Sequence, residues 1–205
     1  MATGADQTGP TRAHEDHTRA DLSGTELTGQ RWEDCRLVGA DLTEAMLRGC
    51  TFARCDLSGA DLGQLRASGC AFLSCRFTRT RLFEALLRDC KLTGSTFEGA
   101  ELRTLRVEAG DWSYVTLRGE DLRGVSLAGL RLVEADLSGT DLRRADLSGA
   151  DLTHARLRQA RLSGADLRGA CLPGCDVDAV DWAGVRIDLA QAVLLARTRG
   201  ALVED

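Results

Sequence analysis

Apolar residues recur along this chain with a period of five. Every fifth position from Leu22 to Ile187 gives 34 residues, all of them apolar and most of them Leu, with no insertion that shifts the phase. A second lattice, two residues upstream, is almost entirely small: Ala20, Cys35, Ala40, Ala45 and Cys50 lie near its start and Val185 ends it. A third, two residues downstream of the large positions, is rich in Gly (Gly24, Gly29, Gly39, Gly49, Gly59). Each unit therefore reads small, polar, large, polar, Gly, as in Ala145-Asp146-Leu147-Ser148-Gly149.

Five is neither the period of an α-helix nor that of a strand. The two apolar positions are nevertheless two residues apart, which aims both side chains at one face of an extended segment. The Gly-rich position then supplies a corner. Short edges and corners, repeated, wind the chain into an all-β solenoid. Leu65 stands at a small position just before Ala67 at a large one, and such an exchange of sizes conserves core volume.

The lattice stops at Ile187. Asp188 and Gln191 have capping-box spacing, Leu189, Ala192, Val193 and Ala196 recur at helical spacing, and Gly200 is placed as a C-terminal stop. The expected organisation is a mobile polar tail over 1–19, a solenoid over 20–187 and a short C-terminal α-helix with its tail over 188–205. A solenoid end needs covering, so the helix reads as a cap. It is apolar over more than one side, because Leu194 and Leu195 widen the stripe. Capping alone does not need that, which favours a dimer contact, to which Leu202 and Val203 add.

Composition narrows the function. Aromatic residues are 4% of 205 and Gly occurs 22 times, a balance suited to a repetitive core of small residues. The formal net charge of −5 argues against a nucleic-acid binder working by bulk electrostatics, since such domains are basic. No apolar run is long enough to span a membrane, and Met1–Arg19 lacks the apolar core of a secretory signal, so a cytoplasmic location is expected. Seven of the eight Cys occupy small inward positions, Cys171 being the exception, and none has zinc-ligand spacing. They read as small buried hydrophobes. The three His are scattered, and no catalytic residue, metal ligand or cofactor is expected.

The unit repeated over Ala20–Ile187 resembles the pentapeptide-repeat family, whose fold is a right-handed quadrilateral β-helix. The resemblance implies four repeats per coil, so that residue n stacks on n+20 and the rod is about 40 Å long at about 4.8 Å per rung. One column then holds Asp21, Asp41, Asp61, Glu101, Asp121, Asp141 and Asp181 together with Arg81 and Arg161, and Glu44, Glu84 and Glu120 are expected on the same face. Two readings stay open: a solvated face, because the repeat favours Asp before Leu, or a site for a partner that normally grips DNA. Residues 20–187 hold 25 acidic and 22 basic side chains, whereas duplex DNA of that length carries about two dozen charges. Mimicry could reside in one face only.

Three stretches, Glu120–Gly124, Gly164–Ala170 and Val185–Val193, resemble the fluoroquinolone-resistance branch of the family. The likeness is to its mycobacterial MfpA type more than to Qnr proteins, which carry projecting loops. The resemblance implies a homodimer through C-terminal helices that binds DNA gyrase, a type II topoisomerase, in place of DNA and protects it from quinolones or other poisons. The alternative is a non-enzymatic scaffold for another partner.

Overall fold

The computed structural model describes residues 9–204, and they form a parallel β-solenoid closed by one short helix. Its register is fixed at 20 residues. Thr11, Arg31, Thr51, Ala71, Lys91, Asp111, Arg131, Asp151 and Cys171 stack in a single column, so the rod has nine rungs along that edge. Four faces follow one another in each coil. They are named here by their columns: face one through Asp41, face two through Met46, face three through Thr51 and face four through Asp56. Backbone amides donate from rung to rung throughout, as in Leu42 to Asp61 at 2.7 Å and Asp61 to Ala40 at 2.9 Å.

Both inward lattices are buried. Leu37, Leu57, Leu117 and Leu147 are fully enclosed. Aromatic residues at large positions stack in ladders, Trp32 on Phe52 at 5.6 Å and Phe52 on Phe72 at 5.0 Å. Leu65 and Ala67 are both buried, in keeping with their exchange of size. Several hydroxyls and thiols at small positions donate to the carbonyl 23 residues earlier. Ser95 reaches Phe72 O at 2.9 Å, Thr140 reaches Leu117 O at 2.8 Å, and the thiols of Cys50 and Cys75 reach Leu27 O and Phe52 O at 3.3 Å. The interior cysteines are thus weak donors to the carbonyls of large-position residues one rung back, as well as filler.

The corners tolerate more than Gly. Gly59 has φ 67°, but Asp34, Glu44, Arg54 and Gln64 take the same left-handed conformation at φ 52–59°. That conformation disfavours a side chain by about 1–2 kcal/mol, and the inter-rung hydrogen bonds on either side hold it in place. Gly110 is different. It lies at a small inward position with φ 139°, and a Cβ there would come within 2.2 Å of Cys90 O.

The solenoid starts earlier than Ala20, which corrects the expectation of a mobile tail for its described part. Residues Thr11–Ala13 form a strand paired with Arg31–Glu33. Arg12 and His17 occupy the large positions of this first rung and Glu15 a small one. The Arg12 guanidinium lies 4.9 Å from the Trp32 ring centroid and His17 meets the same ring at 4.8 Å. Glu15 joins them, accepting from Arg12 at 3.2 Å and pairing with His17 Nε2 at 2.7 Å. The phase of the repeat continues with polar side chains because a terminal rung has the core on one side only. Residues 1–8 of the expected tail lie outside the described residues.

At the other end, α1 spans Leu189–Thr198 and begins with the expected capping box of Asp188 and Gln191. Gln191 is the plug of the solenoid: buried, it donates Nε2 to the carbonyls of Leu167 and Ala170. Asp188 also accepts from Gly169 N at 2.7 Å. Gly200, at φ 83°, ends the helix, with Gly200 N on Arg197 O and Ala201 N on Ala196 O, both at 3.0 Å.

Candidate partner-binding surface

Asp before the large residue has a local cause. Each such carboxylate except Asp176 accepts the amide two residues on, as at Asp21 from Ser23 N (3.0 Å), Asp41 from Thr43 N (2.9 Å) and Asp181 from Ala183 N (3.0 Å). One oxygen is committed to the turn; the other is open at Asp21 and Asp41 but is taken by Arg at Asp61, Asp121 and Asp141. Ser23, through its hydroxyl and its amide, holds Asp21 below the ordinary carboxylate range.

The acidic column of face one divides in two. Asp21, Asp41, Asp61, Arg81 and Glu101 stack in succession, as do Asp121, Asp141 and Arg161. In the first part Arg81 reaches back to Asp61 at 2.6 Å, and Asp21, Asp41, Glu44, Glu84 and Glu101 form no ion pair among the described residues. In the second part the carboxylates are answered within their own turn. Arg123 grips Asp121 with two bonds (2.8 and 2.6 Å), and Arg143 grips Asp141 likewise. Arg123 holds the Asp121 carboxyl down at about 2. Asp141 also has Arg161 at 3.5 Å and Arg123 at 3.8 Å, and Arg144 stands at the adjoining corner. Face one is therefore anionic over its first rungs and close to neutral over its last, where Arg and Asp nearly balance.

One expected member of the column is elsewhere. Glu120 is 5% exposed, at a small inward position. Its two carboxylate oxygens accept from Gly99 N at 2.7 Å and Ala100 N at 3.0 Å. Its place in the five-residue phase, the position Ala usually fills, was the signal for this. Burial pushes its carboxyl above the ordinary value.

The apolar residues of α1 are split between two roles. Leu194 packs on the solenoid core, and Val193, Leu195 and Ala196 are half-buried. Leu189 is 80% exposed and Leu202 96% exposed, with Ala192 also exposed. Two further features escaped sequence reasoning: Phe83 is 52% exposed on face one, and Tyr114 is 53% exposed on face three, opposite. Among the described residues no helix is long and apolar enough to cross a membrane, and no group of three His, Cys, Asp or Glu is placed to hold a metal ion.

A family model of pentapeptide repeats matches the chain in eight copies, over residues 20–59, 35–72, 113–144, 121–159 and 140–177. No curated protein matches the chain in sequence. Among solved structures, two trypsin-treated forms of QnrB1, a plasmid-mediated fluoroquinolone resistance protein, superpose with a TM-score of 0.84 at 25% identity. They cover 95% of this chain and 97% and 99% of theirs. HetL, a pentapeptide-repeat protein involved in heterocyst differentiation regulation in the cyanobacterium Nostoc, superposes with a TM-score of 0.51 at 28% identity, over 86% of this chain and 84% of its own.

Proposed function

The chain belongs to the pentapeptide-repeat family, and from that premise we propose that it is a non-enzymatic rod that binds DNA gyrase where gyrase binds DNA. Bound there, it modulates the enzyme and protects it from quinolones or other gyrase poisons in the cytoplasm. The observation that carries this reading is the run of carboxylates on the first rungs of face one. Asp21, Asp41, Glu44 and Asp61 put four negative charges over about 10 Å of rod, where duplex DNA carries about six. Likeness to QnrB1 over nearly the whole chain supports the same reading.

Homodimerisation through α1, with Leu189 and Leu202 at the contact, would join two rods end to end. The anionic patches then lie at the far ends of the pair, and the Arg-bearing parts of face one lie near its middle. That polarity limits DNA mimicry to the ends. It also favours one alternative, a scaffold whose Arg123, Arg143, Arg144 and Arg161 meet an acidic partner.

Competition separates the two. Under the gyrase reading the protein binds purified gyrase, duplex DNA displaces it, and Asp41→Asn with Glu44→Gln weakens binding at least tenfold. Wild-type protein that does not bind gyrase supports the scaffold reading instead.

A further inference from the structure

Phe83 stands outside the logic of the repeat. All the large lattice positions point inward, and the outward position that Phe83 fills is otherwise held on this face by residues such as Ser23, Thr43, Gly63, Arg103 and Arg123. Phe83 is half exposed and lines a hollow of about 310 Å³ together with Ala100, Glu101, Leu102, Arg103, Thr104 and Asp121. Arg81, in the same turn, is drawn to the preceding rung by Asp61 at 2.6 Å, so its guanidinium is engaged there. Three carboxylates flank the position, Asp61 one rung before, Glu84 beside it and Glu101 one rung after, with Arg103 following Phe83 in its own column. Phe83 is also where the anionic part of face one gives way to the Arg-bearing part.

We infer that Phe83 is the apolar anchor of the gyrase contact, inserting into a recess on a basic partner surface while the carboxylates around it meet the basic groups. The inference rests on the reading above and adds to it a source of specificity. Carboxylates alone attract any basic groove, and their attraction weakens with salt. A buried aromatic ring contributes affinity that salt does not screen, and aromatic anchors ringed by polar contacts carry much of the energy of protein interfaces. Tyr114 supplies the control, since it is equally exposed but lies on the opposite face.

The experiment measures binding of wild type, Phe83→Ser, Tyr114→Ser and Asp41→Asn/Glu44→Gln to purified gyrase across about 50–200 mM salt. Phe83→Ser should weaken binding tenfold or more at every salt concentration, leaving the slope of log affinity against log salt unchanged. The carboxylate variant should flatten that slope, and Tyr114→Ser should match wild type. Unfolding midpoints equal to wild type confirm that both surface aromatics were removed without loss of fold. If wild type binds and Phe83→Ser binds equally well, or changes only the salt slope, the inference is overturned while the gyrase reading stands. A wild-type rod that does not bind gyrase overturns the reading and the partner named here together.

Discussion

At single positions the solenoid is governed by what lies one rung away. Gly110 has no room for a methyl group because Cys90 O occupies that space. Gly110→Ala should therefore cost about 3 kcal/mol and lower the unfolding midpoint by roughly 6–12 °C; a midpoint within a degree of wild type contradicts the close approach. Glu120 carries a pH signature. Burial raises its carboxyl in the folded state, so across the window above the ordinary Glu value the folded chain holds the proton more tightly than the unfolded one. Its contribution to stability is present at acid pH and is lost as pH rises through the raised value. Glu120→Gln has no such loss. Its unfolding midpoint should gain on wild type as pH rises above the ordinary Glu value of about 4.3, and a difference that does not vary with pH refutes the assignment. The lattice made Asp21 and Asp41 legible as a stacked column, because spacing alone sets which side chains share an edge. It could not reveal that Asp121 and Asp141 are gripped by the Arg two residues on, because that depends on rotamers.

The rungs were legible in the sequence as far as their interiors are apolar. From Leu22 to Ile187 the phase is unbroken in the sequence, and the structure follows it rung by rung until a tight 3-10 turn over Val177–Ala179 interrupts the last coil. It failed to mark the first rung, where Arg12, Glu15 and His17 sit in phase but are polar, and where Trp32 receives a guanidinium and an imidazole in place of another hydrocarbon. The helix was legible through its capping box, yet not the double use of its Gln. Besides capping α1, Gln191 satisfies two carbonyls of the last coil. Gln191→Ala should leave both unpaired at a cost of about 2 kcal/mol, read as a lower denaturation midpoint. The free side of α1 is a separate matter. Leu194 is spoken for by the core, so the cleaner probe of dimerisation is Leu189→Glu. Light scattering should report a dimer for wild type and a monomer for the variant, and a variant that stays dimeric removes the helix from the interface.

Taken along its length, the molecule is a rod whose carboxylates stand largely unpaired at one end of one face and are matched by Arg at the other. Its small net charge hides this, since 25 acidic and 22 basic residues over 20–187 nearly cancel while their placement does not. Only the first rungs of face one approach the charge density of a duplex, and the Arg residues of the later rungs are held against their own Asp neighbours. A partner that normally receives DNA would therefore meet an end of the rod. Salt should weaken that contact, with fewer counterions released than by DNA itself, because fewer charges are engaged. The measurement that bears most directly on this account is a gyrase supercoiling and cleavage assay at micromolar protein, with and without a quinolone. The account predicts that wild type inhibits supercoiling and reduces drug-stabilised cleavage, and that Asp41→Asn/Glu44→Gln does neither. Wild-type protein that leaves both supercoiling and cleavage unchanged would contradict it.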